Sequence, residues 1–135
     1  MIRFQLPGVR LVSEANERGR WSKHAGRTQS QRQQAATVAR SALASLYGKR
    51  GTMLDGPLVV TIVRIAPTRL DSDNLVGSAK HIRDGVADAL GIDDRDPRVT
   101  WHVEQRRGGV RVYGVEVTIA AAVACPHCGS VRGAA

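Results

Sequence analysis

The run PLVVTIVRIAP, closed by Pro57 and Pro67, restricts the fold of this chain more than any other stretch. Its β-branched residues fit a pleated surface, and the prolines end it on both sides because they cannot donate to a strand ladder. It is predicted to be a central, buried strand. Other segments must therefore flank it. IRFQL (2–6) alternates apolar and polar residues and reads as a first strand. VTWHVEQ (99–105) and VRVYGVEVTIAA (110–121), separated by the turn-like RRGG, read as a hairpin.

Two stretches have helical spacing. In residues 28–47 apolar pairs recur at Ala35/Ala36, Val38/Ala39, Ala42/Leu43 and Leu46/Tyr47. A capping box from Thr28 to Gln31 or from Ser30 to Gln33 would open this helix, and Gly48 would stop it. The second helix starts at Asp73 and ends at Gly91, with Leu75, Ala79, Ile82, Val86, Ala89 and Leu90 on its core face. Asp73, Gly77, Lys80, Asp84 and Asp88 form a narrow stripe opposite. The expected architecture is a single small α+β domain, β-loop-α-β-α-β-β, with a mixed sheet of about four strands and both helices on one face. It occupies residues 1–120, and residues 121–135 are expected as a flexible tail.

Charge is distributed unevenly. The formal net charge is +8, yet seven of the twelve acids lie between Asp71 and Asp96. Residues 1–50 carry ten Lys and Arg against only Glu14 and Glu17. That layout suits a polyanionic partner gripped by the basic part and acted on at the acidic part. The long segment 7–28 reads as a loop holding Arg10, Arg18, Arg20, Lys23 and Arg27 around Trp21. Such a segment suits a phosphate backbone with a stacking partner. Trp21 could equally anchor the loop to the core. The sequence has neither a twenty-residue apolar run nor a signal-peptide stretch, so a cytoplasmic protein without membrane contact is expected.

Asp71 and Asp73 flank a helix start, and Asp93 and Asp94 follow its end. Carboxylates gathered with phosphate oxygens are what Mg²⁺ requires, and a helix N-terminus favours both. The same residues also have local roles, Asp73 as an N-cap and Asp93 and Asp94 as turn formers.

The segment LDSDNLVGSAKHIRDGVADALGIDDRDPRV resembles the motif region of the RusA family of Holliday-junction resolvases, especially its phage and prophage branch. The looser pattern LPG…S..N.R..W..H..R at the N-terminus follows the family's order too, so the resemblance covers roughly residues 3 to 120. It implies a Mg²⁺-dependent homodimer (Mn²⁺ serving as well) that cuts branched DNA by paired symmetric nicks in recombination and repair, in a bacterial or phage-infected cell. Asp71, Asp73 and Asp94 are implied as metal-ligating acids, with Asp93 beside them and Asn74 as the motif's amide. The family lysine falls at Gly77 here; Lys80, one helical turn on, is the candidate for its role. Arg69 and the basic residues around Trp21 would grip the DNA arms. The alternatives are a nuclease acting on flaps or forks, and a non-catalytic DNA-binding module.

Cys125 and Cys128, with His127 between them, have the spacing of half a zinc site. Completion would need His102 or a second copy of the tail, so zinc is not expected and two reduced thiols are.

Overall fold

The chain was analysed as a computed structural model, which describes residues 1–13, 21–47, 56–124 and 126–133. The elements in order are β1 (Ile2–Pro7), α1 (Trp21–Tyr47), β2 (Leu58–Ala66), α2 (Ser72–Ser78), α3 (Lys80–Leu90), β3 (Val99–Arg107), β4 (Gly114–Ala124) and β5 (Val131–Gly133). The strand order is β1-β4-β2-β3, with β5 paired to β4. β4 runs antiparallel to β1 and β2, while β2 and β3 are parallel, so the sheet is mixed and the α+β class is as expected.

β2 is central, as its β-branched run requires, and its even-numbered residues face the helices. Leu58, Val60 and Ile62 pack with Leu6, Val117 and Ile119 from the neighbouring strands. Ala35, Ala39 and Leu43 of α1 and Ile82, Val86 and Leu90 of α3 complete this core, so both helices cover one face. Burying each of the Leu, Ile and Val side chains contributes about 1.5 to 3 kcal/mol.

The expected hairpin is absent. β3 and β4 lie on opposite flanks of β2, and residues 108–113 arch across the end of β2, where Gly108 N–H donates to the Ala66 carbonyl at 2.8 Å. The reason is that α3 delivers the chain to the beginning of β2, where Leu58 pairs with Val99, so β3 must run parallel. RRGG is a local turn signal that cannot report this longer-range pairing.

The second helix is also two helices rather than one. Ser78 Oγ donates to the Leu75 carbonyl at 2.7 Å, taking the acceptor that the Ala79 N–H would use in a continuous α-helix. Ala79 N–H turns instead to Val76 at 3.3 Å, and the helix breaks at Ala79. The N-cap is Asp71, not Asp73. Gly91, at φ 69, closes α3 with the Ile92 N–H bonded back to Ala87 at 3.1 Å, a left-handed cap that glycine adopts without strain.

Helix α1 begins at Trp21, seven residues before the expected capping boxes, so Trp21, Lys23 and Arg27 lie on a helix and not in a loop. Gly48 lies outside the described residues. The expected free tail includes β5, whose Val131–Gly133 pair with Ala122–Ala124, and residue 120 falls inside β4.

Helices α1 and α3 are tied across their exposed side by Arg32, which donates from Nε to Asp88 at 2.7 Å and from Nη2 at 2.9 Å. This hydrogen bonding holds the Asp88 carboxyl below its ordinary pKa. A lowered folded-state pKa contributes stability above the unfolded value, and that stability is lost as pH falls through the folded one. Arg32→Ala is expected to cost about 0.5 to 1 kcal/mol in urea denaturation at neutral pH, a value kept small by solvent screening. The difference from wild type should shrink on acidification below the normal carboxylate range.

Candidate functional site

The Asp-x-Asp-Asn segment begins where β2 has ended and the chain turns into α2. Gln105 of β3 holds this turn in two directions: Leu70 N–H donates to its Oε1 at 3.0 Å, and its Nε2 donates to the Leu70 carbonyl at 2.7 Å. Asp71 then caps α2. Its Oδ1 accepts from the Asn74 backbone N–H at 2.9 Å and its Oδ2 from Asn74 Nδ2 at 2.8 Å. The carboxylate is thereby oriented while remaining exposed. Asp73 is exposed in the first turn of the same helix.

Lys80 is the exposed first residue of α3. Because the helix breaks at Ala79, Asp73 and Lys80 belong to different helices, α2 and α3, and not to one continuous stripe as expected. Among the described residues Lys80 has no ion pair with Asp84. Asp88, from the same stripe, is taken by Arg32.

The second acidic pair lies elsewhere. Asp93 Oδ1 accepts from Arg95 N–H at 2.8 Å, an ordinary Asx turn. Asp94 is held by Arg83 of α3, whose Nη2 donates to the Asp94 carbonyl at 2.6 Å and lies 3.8 Å from its carboxylate. The Arg83 guanidinium in turn sits over the Trp101 ring, 5.1 Å from its centroid. Asp96 is pinned by Arg98, which donates to it from its side chain and its backbone; these bonds lower the carboxyl to about 2.

Topology separates the two pairs within one chain. Leu70, next to Asp71, is bonded to Gln105 near the end of β3, whereas Arg83, which holds Asp94, lies over Trp101 near its beginning. Four strand residues alone account for about 13 Å. The sequence reading placed Asp71, Asp73 and Asp94 together. Among the described residues, no group of three or more His, Cys, Asp or Glu is close enough to hold a metal ion.

The described basic candidates lie on different segments of the chain. Arg10 is exposed and stacks over Tyr113 at 4.2 Å, Arg69 is exposed at the turn before Asp71, and Arg27 is half-buried on α1. Trp21 and Lys23 are placed by their backbone in the first turn of α1, and Arg18 and Arg20 lie outside the described residues. Asn74 is fully engaged with Asp71 and Ser13. In the tail, His127 and Cys128 are exposed, His102 is exposed on β3, and Cys125 lies outside the described residues.

Two residues beside the acidic turn were assigned no role from sequence. Arg64 is only 5% exposed, yet it points from β2 into the helix-covered side, donating to the Leu11 carbonyl at 2.9 Å and the Thr68 carbonyl at 2.7 Å. Burial lowers its pKa, though an arginine stays charged throughout the working range. An arginine at a core-facing position of VVTIVRIA was the available signal. Ser13, 7% exposed, donates to Asn74 Oδ1 at 2.7 Å. Its partner is 61 positions away, and no local pattern reveals such a contact.

No family model matches this chain. An uncharacterized protein of Xylella fastidiosa (strain Temecula1) is 39% identical over 99 residues, covering 70% of this chain. The chain spans 61% of the length of that relative. Among the described residues no helix is long and apolar enough to cross a membrane.

Proposed function

We propose that this protein is a Mg²⁺-dependent endonuclease of the RusA type that cuts branched DNA, four-way junctions foremost, as a homodimer in the cytoplasm of a bacterial or phage-infected cell. The observation carrying this reading is the geometry of Asp71: an exposed carboxylate whose two oxygens each accept one hydrogen bond from Asn74. Each oxygen keeps lone-pair capacity for a cation, and the donors are the hard oxygens Mg²⁺ and Mn²⁺ take. Asp73, exposed one helical residue-pair further on, supplies a second carboxylate. Orientation of a ligand by a neighbouring donor is a regular feature of metal sites. The residues therefore fit the ion.

In this reading Asp71 and Asp73 would hold the cation, with Asp94 joining them from the partner protomer. The separation of Asp94 from Asp71 in one chain favours that division, because across a two-fold axis one part of a patch on one chain meets a different part of the same patch on the other. Bound magnesium would supply an acidified water nucleophile and offset charge on the phosphate oxygens. Lys80, exposed at the start of α3, is assigned to the charge developing on the phosphate. Arg69 beside the motif and the arginines and lysine around Trp21 grip the DNA arms, which makes binding salt-dependent and mostly indifferent to sequence.

A non-catalytic DNA-binding module has one observation in its favour: Asp71 and Asp93 each already serve a local purpose, as a cap and a turn residue. Gel assays of synthetic four-way junctions, flaps and linear duplexes separate the readings. The nuclease reading expects paired nicks in junctions with Mg²⁺ and none with EDTA. Binding without cleavage in Mg²⁺ and Mn²⁺ would leave the DNA-binding module, and preferential flap cutting would reassign the substrate.

A further inference from the structure

We infer that Ser13 is a positioning residue for Asp71, acting through the side-chain amide of Asn74; the inference rests on the nuclease reading and deepens it. The hydrogen-bond directions admit one arrangement. An ionised Asp71 can only accept, so Asn74 turns its Nδ2 toward Oδ2, at 2.8 Å. Its Oδ1 then faces the Ser13 hydroxyl at 2.7 Å, and the hydroxyl must donate. Ser13 therefore anchors the far end of the amide, and with Asp71 at the near end the plane of Asn74 is fixed. Without that donor the amide is held at its Nδ2 end alone, so its plane can swing and Asp71 Oδ2 loses a rigidly placed N–H.

The rest of the structure holds Ser13 in place for this purpose. The segment before it is bound residue by residue: Gln31 Nε2 donates to the Arg10 carbonyl at 2.8 Å, and Arg64 Nε to the Leu11 carbonyl at 2.9 Å. The same guanidinium donates to Thr68, three residues before Asp71, at 2.7 Å. Arg64 thus clamps together the two chain segments that carry Ser13 and Asp71. Gln31, Arg64 and Ser13 are all buried, so this support is shielded from competing water.

The test is Mn²⁺ titration of the full-length protein bound to a four-way junction, followed by electron paramagnetic resonance, for wild type, Ser13→Ala and Ser13→Thr. Cleavage is measured against Mg²⁺ concentration in parallel. Loss of an outer hydrogen bond of this kind typically weakens metal binding by about tenfold or more. Ser13→Ala is expected to bind Mn²⁺ about tenfold more weakly and to need about tenfold more Mg²⁺ for half-maximal cleavage. Its junction affinity without metal should be unchanged, and Ser13→Thr, which keeps the hydroxyl, should recover most of the metal affinity. Wild-type metal affinity in Ser13→Ala overturns the inference alone. So does a Ser13→Ala protein that no longer folds, or whose metal-free junction affinity falls in step, since either marks a merely structural residue. A wild-type protein that neither binds Mn²⁺ nor cleaves overturns the nuclease reading itself.

Discussion

Asp73→Asn is expected to slow junction cleavage in Mg²⁺ by at least about a hundredfold, roughly 2.7 kcal/mol on the barrier. Junction binding should persist or tighten. The carboxylate is exposed and makes no cap of its own, since Asp71 fills that role, so the substitution removes negative charge without removing a structural bond. A protein surface made less negative repels phosphates less. Asp71→Asn is a less clean probe, because the carboxylate it replaces also caps α2 and orients against Asn74. Asparagine caps a helix about as well as aspartate but cannot accept at both positions as Asp71 does from Asn74, so the variant's stability should be measured beside its rate. For Asp94→Asn the same loss of cleavage is expected with little change in folding, because Arg83 bonds mainly to the Asp94 backbone carbonyl. Cleavage at the wild-type rate by any of the three would remove that residue from the site.

Gly85→Ala is expected to be the most damaging single-methyl change in the fold. A Cβ at Gly85 would run into the Arg32 carbonyl oxygen and come within 2.8 Å of Ala35 Cβ and 3.1 Å of Ala36 N. Two of these are backbone atoms of α1, which cannot swing aside as a side-chain end can. Only glycine permits α1 and α3 to approach this closely. Overpacking of this kind costs about 3 kcal/mol, and the better helix propensity of alanine returns about 1. The net loss should be about 2 kcal/mol, a fall of roughly 8 °C in melting temperature. Gly77→Ala supplies the opposite sign. Nothing lies within 4 Å of its Cβ position, so the propensity gain of about 0.5 to 1 kcal/mol should appear as stabilisation. Thermal denaturation of the two variants side by side checks both, and an unchanged Gly85→Ala protein would contradict the helix packing.

What the sequence revealed and what it hid divide along a physical line. The alternation of β1, the apolar run of β2 and the core stripe through Leu75, Ile82, Val86 and Leu90 are periodic, and burial on one face makes that period visible. The pairing of β3 was not visible, because VTWHVEQ-RRGG-VRVYGVEV carries the local pattern of a hairpin while the partner of β3 is settled by where α3 delivers the chain. The break at Ala79 was hidden for another reason: it depends on one hydroxyl competing for one carbonyl, and Ser78 reads as an ordinary helical residue. At the site, the pattern D-x-D-N located Asp71, Asp73 and Asn74 correctly on one turn. It could not show that Asn74 is oriented by Ser13, nor that Arg64 clamps the turn, since those contacts join residues 61 and 53 positions apart. Nor could the spacing from Asp73 to Asp94 show that two helices and a returning turn carry Asp94 away from its expected companions.

That last separation gives the account its most direct test. If Asp71 and Asp73 of one protomer act with Asp94 of its partner, Asp73→Asn and Asp94→Asn damage different halves of each composite site. Mixed dimers formed by co-refolding the two inactive variants contain one site with both substitutions and one with neither. The measurement is Mg²⁺-dependent nicking of a four-way junction by the mixture against each variant alone. Restored nicking at a single strand, with each variant alone inactive, is the predicted result. A mixture as inactive as its components, with exchange of protomers verified, would contradict a site shared between two chains.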